Sequence, residues 1–255
     1  MASVLGVAYL VDGSVRRSGE RVRASVQLVD ARTGFQVWSN DYDRATSDLL
    51  SLQADVAHKV AEQIAGRLLP AEAAVLASRP TNNPVAYDQF LRGNYYLTQR
   101  SPSAVALAIN EYERAVRLDT SFTPALARAA YGYALYLEWG WAYPDLPPDS
   151  VLARGTSAAE RALRQDSTSA DAWMARGYML VHRHPRTLTG ARAAIERALA
   201  LDPSNAEAWH HFGSTLSYLG DDSGAFVAFH RALALEPQRA GTLLLIAWLL
   251  IMGVV

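Results

Sequence analysis

Four short stretches of this chain repeat one another: ERAVRLD from Glu113, ERALRQD from Glu160, ERALALD from Glu196 and HRALALE from His230. Successive copies start 47, 36 and 34 residues apart. Self-similarity at such a period marks an architecture built by stacking one supersecondary unit. A unit this short cannot bury its own apolar face, so its neighbours must do it, and the core becomes a seam along the stack.

The unit is clearest from Ala206. Trp209, Phe212, Gly213 and Leu216 fall at its positions 4, 7, 8 and 11, and Ala225, Phe229, Ala232 and Pro237 at 20, 24, 27 and 32. A helical glycine costs about 1 kcal/mol relative to alanine, so Gly93, Gly132, Gly177 and Gly213, taken as one register, predict a close approach of two helices. Ala198 and Ala232 play that part on the second helix. Proline costs roughly 3 kcal/mol inside a helix, so Pro203 and Pro237 predict helix ends. Ser204 followed by Glu207 predicts a capping box for the next helix.

Position for position, this pattern resembles the tetratricopeptide repeat. The resemblance implies a mostly α fold, an α-α superhelical solenoid, with a concave face that binds a protein or peptide. Repeats then begin near Ala86, Ala125, Ala170 and Ala206, although Thr120 and Ser167 stand where proline is usual. Ala240 opens a fifth, with Leu243, Ile246, Ala247 and Leu250 at positions 4, 7, 8 and 11. The apolar run Gly241–Val255 is thus half a repeat. Its 15 residues fall short of the roughly 20 that span a bilayer. The expectation is that the natural protein continues past Val255 and that this end self-associates. A second reading makes the run the start of a longer membrane span.

Before residue 78 the period is two. Val22, Ala24, Val26 and Leu28 alternate with Arg21, Arg23, Ser25 and Gln27, and turn chemistry at SGE and RTG predicts a three-stranded meander over 7–16, 21–30 and 35–40. Leu49, Leu52, Val56, Val60, Ile64 and Leu68 then predict an amphipathic helix packed on it. The run YLVDGSVRRSGERVRASVQLVDARTGFQVWSNDYDR and the helix after it resemble the second half of the TolB amino-terminal-like domain. Such domains accompany tetratricopeptide repeats in bacterial adenylate cyclases, serine/threonine kinases and CadC-type regulators, and open with an earlier strand and helix that this chain lacks. The expected organisation is a partial α+β module over 1–77, a linker over 78–85 and a solenoid over 86–255 with four repeats and the first helix of a fifth.

The 24 basic and 25 acidic residues nearly cancel, so the overall charge points to no nucleic acid, and the chain has no cysteine for redox or thiolate chemistry. No phosphate loop, nucleophile elbow or zinc motif is present, so neither catalysis, cofactor, metal nor small-molecule substrate is expected. His182 with His184, and His210 with His211, are expected to be polar surface or groove residues. Arg16, Arg17, Arg21 and Arg23 with Glu20 are expected to form a solvated hairpin face. Trp139, Trp141 and Tyr143 lie on a proline-rich loop, either as exposed anchors for a partner or folded back over a widened gap between helices. The concave face is expected to present Leu126, Tyr133, Tyr136, Met174, Tyr178, His182, His210, Ser214, Ser217 and Tyr218, a neutral aromatic strip suited to an apolar or mixed peptide. The expected function is a non-catalytic scaffold or sensory arm of a bacterial signalling protein, or alternatively the regulatory end of a nucleotidyl cyclase or protein kinase.

Overall fold

A computed structural model describes residues 7–65, 80–183 and 187–251. Leu68, His184 and the last four residues of the apolar tail lie outside the described residues. The chain divides into two compact units, Met1–Pro84 and Val85–Val255.

In the first unit, β1 (Tyr9–Ser18), β2 (Arg21–Asp30) and β3 (Gln36–Ala45) form an antiparallel sheet in that order. A 3-10 turn at Thr46–Asp48 leads into α1 (Leu49–Ala65). Val22, Ala24 and Leu28 are buried on one face of β2, opposite Tyr42 and Trp38 of β3, with Leu52 and Val56 of α1 against them. Asp30 accepts hydrogen bonds from the backbone of Arg32 and Thr33, each at 2.9 Å, which makes the DARTG turn. The third strand runs five residues beyond the expected 40. Its extension, DYDRA, is held by Asp43, which accepts from Arg21 at 2.8 Å and Arg23 at 3.0 Å across the ladder. Charged pairs at alternate positions, rather than apolar ones, fix this end of the sheet, so a hydrophobic period misses it. Val11 and Val15 face the same side as Leu28 and Ala24 but are 55% and 72% exposed, because α1 packs mainly on β3 and β2.

The second unit is a run of helical hairpins: α2 (Pro84–Leu97) with α3 (Pro102–Leu118), α4 (Thr123–Glu138) with α5 (Pro148–Gln165), α6 (Ala170–His182) with α7 (Leu188–Leu201) and α8 (Ala206–Tyr218) with α9 (Asp222–Leu235). The unpaired α10 (Ala240–Ile251) packs on α9. The stacked hairpins make an α-α solenoid of the tetratricopeptide type. The second helices of the first three hairpins end at an aspartate, Asp119, Asp166 or Asp202, whose carboxylate accepts from the backbone and hydroxyl of Ser121, Thr168 or Ser204. Ser204 is thereby committed to Asp202. The helix is capped instead by Asn205, which accepts from Ala208 at 2.9 Å, so the expected capping box does not form and Glu207 is released for another role.

Gly93, Gly177 and Gly213 each meet a large side chain of their own hairpin, Tyr112, Ile195 and Phe229, three residues before the alanine of the repeated motif. Gly132 does not. A Cβ there would lie 2.6 Å from Ile109, in the preceding hairpin. The eighth residue of α4, counting from Thr123, is Ala130, fully buried, just as Gly177 and Gly213 are eighth from Ala170 and Ala206. The second repeat therefore begins at Thr123 and not near Ala125. Pro124 in the first turn sets that start, since proline is favoured where the missing N–H is unneeded.

One core cluster runs from Leu97 to Ala208, and a second joins Leu216, Ala225 and Phe229 to Ile246 and Leu249 of α10. Leu243, Leu244, Trp248, Leu250 and Ile251 remain exposed on α10. Among the described residues no helix is long and apolar enough to cross a membrane.

Candidate partner-binding groove

The register shift in α4 changes which residues line the inner face. Tyr133 and Tyr136, expected in the groove, are 1% and 2% exposed, and Met174 is 1% exposed. All three are core. Tyr133 donates to Glu113 at 2.6 Å, Tyr136 donates to the Pro102 carbonyl, and Tyr143 packs against both rings at 5.6 and 4.8 Å. Leu126 is likewise buried. Trp141 and Tyr143 thus fold back on the core, while Trp139, 60% exposed, stacks on Trp141 from outside.

Tyr131, displaced by two from the expected Tyr133, takes the inward place instead. It packs on Tyr178 at 5.9 Å and on His211 at 5.7 Å, and Tyr178 lies on His211 at 3.9 Å. His211 is therefore buried, contrary to the surface or groove position expected of it, and Tyr178 forms the floor of the face rather than its surface. Nearer solvent are His182, whose Nε2 lies 3.1 Å from Glu138 Oε2, His210, Ser214 and the exposed Tyr218. His210 Nδ1 meets Thr242 Oγ1 at 2.9 Å, tying α8 to α10. Burial pushes the His210 imidazole down to about 4, and His211 falls well below its usual range for the same reason. Both are neutral at pH 7.

At the centre sits a charged node that composition and period did not reveal. The Glu207 carboxylate accepts from Arg100 at 2.7 Å, from Arg239 at 2.8 Å and from the Tyr131 hydroxyl, with Arg128 at 3.6 Å. Arg128 also pairs with Asp171 at 3.4 Å. Burial would raise the Glu207 carboxyl, but Arg100, Arg239 and Arg128 outweigh it and hold the group well below the usual carboxylate range. Residues of the first, second and fourth repeats meet here, with Asp171 of the third reached through Arg128, and Arg100 and Glu207 are 107 positions apart.

Arg100 is unusual in backbone as well. It stands seven residues after Gly93, as Gly220 does after Gly213, and both have positive φ, 49° and 81°. A left-handed conformation that costs glycine nothing costs a residue with a Cβ roughly 1–2 kcal/mol. An arginine in the glycine place of a turn is the one sequence signal that could have flagged this site.

On the sheet, Arg21 and Arg23 of the expected basic patch are engaged by Asp43 at 2.7 and 3.0 Å. Among the described residues no group of three histidine or carboxylate side chains is placed to hold a metal ion.

No protein-family model matches the chain. It is 28% identical over 170 residues to "Putative adenylate cyclase 3" of Rhizobium meliloti (strain 1021), a match covering 64% of this chain and 27% of that protein. The chain therefore spans about a quarter of the curated relative's length. Among solved structures, a thermophilic TPR protein of Thermus thermophilus is similar with a TM-score of 0.53 at 16% identity, over 81% of this chain and all of that one. PilF of Pseudomonas aeruginosa is similar with a TM-score of 0.48 at 18% identity, over 66% of this chain and 69% of its own. The Thermus likeness, together with the recurrent hairpins, gives this chain the fold of a tetratricopeptide-repeat solenoid.

Proposed function

We propose that the helical unit is a non-catalytic scaffold that binds a protein or peptide on its concave face. The observation that carries this is the strip formed by His182, His210, Ser214 and Tyr218 above the buried Tyr178 floor: polar and aromatic groups presented side by side on helices. Trp139, exposed and stacked on Trp141, is the remaining loop anchor. The first unit is read as part of a TolB amino-terminal-like domain, which sets the scaffold in a bacterial signalling protein.

A photo-crosslinking residue at Tyr218, compared with one at the exposed Val227 of α9, tests the groove. Adducts specific to position 218 are expected. Equal labelling at both positions would remove the groove from consideration.

The match to part of a cyclase-named protein supports a second reading, in which these units regulate a nucleotidyl cyclase domain on the same polypeptide. Appending these residues to such a domain and finding its activity unchanged when Tyr218 is substituted would count against it. The apolar face of α10 is read as a self-association surface. Light scattering at tens of micromolar should show oligomers that Leu244→Glu and Trp248→Glu disperse, and a monomeric starting chain would exclude it.

A further inference from the structure

In a stack where each repeat touches its neighbours, curvature is set by many small rotations and is soft over the whole length. The contacts that converge on Glu207 do not obey that rule, and one of them reaches farthest. Arg100, in the turn between α2 and α3, reaches past two hairpins to Glu207 at the start of α8 and also donates to the Tyr131 hydroxyl at 2.8 Å. Glu207, in the fourth repeat, is the shared acceptor for Arg100 of the first and Tyr131 of the second, and Arg239, just before α10, donates to the same carboxylate. Arg100 holds this reach from a left-handed backbone where Gly220 occupies the equivalent turn. Glycine would suit the turn better, so the turn alone does not account for arginine there, whereas the reach does.

We propose that Arg100, Tyr131 and Glu207 form a clasp that closes the concave face across the superhelix, and that opening it is the step by which a partner segment gains the Tyr131–Tyr178–His211 floor. This rests on the groove reading for its purpose but not for its test. With the clasp shut, Tyr131, Tyr178 and His211 are buried. With it open, the first hairpin has lost its direct bond to the fourth, and the distance between them is set by the hairpins that intervene.

The chain has no cysteine, so a spin-label pair can be placed without background. Leu107→Cys on α3 and Val227→Cys on α9 are both exposed positions in those hairpins. Dipolar spectroscopy on the full chain should give one narrow distance distribution. In Glu207→Gln and, separately, in Arg100→Gly, the distribution should broaden and shift to longer distance. Amide exchange in α6 and α8 should rise about tenfold in Arg100→Gly while the hairpins stay folded. Arg100→Gly suits its turn, so it keeps the test intact if Glu207→Gln unfolds. Adding Arg100→Gly to Glu207→Gln should lengthen the distance no further than Glu207→Gln alone. Unchanged distances and exchange in Arg100→Gly would overturn the clasp. Because no partner is added, that result leaves the groove reading to the crosslinking experiment.

Discussion

The hairpin α8–α9 and the hairpin α4–α5 come from the same repeated motif yet solve the same packing problem differently. In α8–α9 a glycine on the first helix receives a large ring from the second, Gly213 against Phe229. In α4–α5 the residue three before the motif alanine is Ala159, where the other hairpins have Tyr112, Ile195 and Phe229, and the eighth residue of α4 is Ala130. Large side chains are supplied instead by Tyr133 and Tyr136 and by the folded-back Tyr143. Core volume is conserved while the positions that provide it move, which is what close packing demands of any sequence that departs from the pattern.

That difference can be broken most forcefully at Phe229. Phe229→Ala should cost about 3–5 kcal/mol in chemical denaturation, because Gly213 has no side chain with which to fill the hole. A loss under 1 kcal/mol would mean that the two helices collapse together and the pairing is not specific.

Acid should separate the hairpins next. His210 and His211 have depressed values when folded and normal ones near 6.5 when unfolded, so the unfolded chain binds more protons between those limits. Stability is then complete above about pH 6.5 and falls as pH drops toward 4, by about 3 kcal/mol from His210 alone, with His211 adding to the loss. Glu207 adds a loss below about 4.5, since its folded carboxyl is depressed and protonation in the unfolded chain comes first. Relative to intrinsic exchange at each pH, amide protection between pH 7 and 5 should fall first in α8–α9, because α4–α5 has no histidine. An equal loss of protection over both hairpins would contradict this.

A smaller effect tests whether the long loop belongs to the core. Tyr143→Ala should destabilise by about 2 kcal/mol, whereas an ordinary surface-loop residue would change stability by less than about 0.5 kcal/mol. Trp139→Ala gives the smallest expected change, within about 0.5 kcal/mol, since its ring is mostly in solvent. If the two values reverse, the loop packs by Trp139 and not by Tyr143.

The helices of residues 170–251 were legible because proline, glycine and alanine mark their ends and close contacts locally, within one repeat. The second repeat was misplaced by two residues for an equally local reason. Its glycine answers Ile109 in the previous hairpin, so a rule that assigns glycine to its own hairpin gives a false origin, and the groove residues Tyr133 and Tyr136 inherited the error. The end of β3 was hidden by charges that pair only once the strands are adjacent. Glu207 was unreadable for a deeper reason: its partners lie 107 and 32 residues away, and their meeting depends on accumulated curvature, which no hydrophobic period encodes.

Two of the core clusters of the helical unit share Trp209 and Phe212 as common neighbours. Under tension applied along the stack, such a joint is where force concentrates. The three helices after Asn205 would peel as one block, hinged on two aromatic rings, while the hairpins before them stayed wound. The Arg100–Glu207 bond spans that joint, so a pull would meet it before the hinge gives way, and the solenoid would respond less like a spring than like a strap with a single buckle.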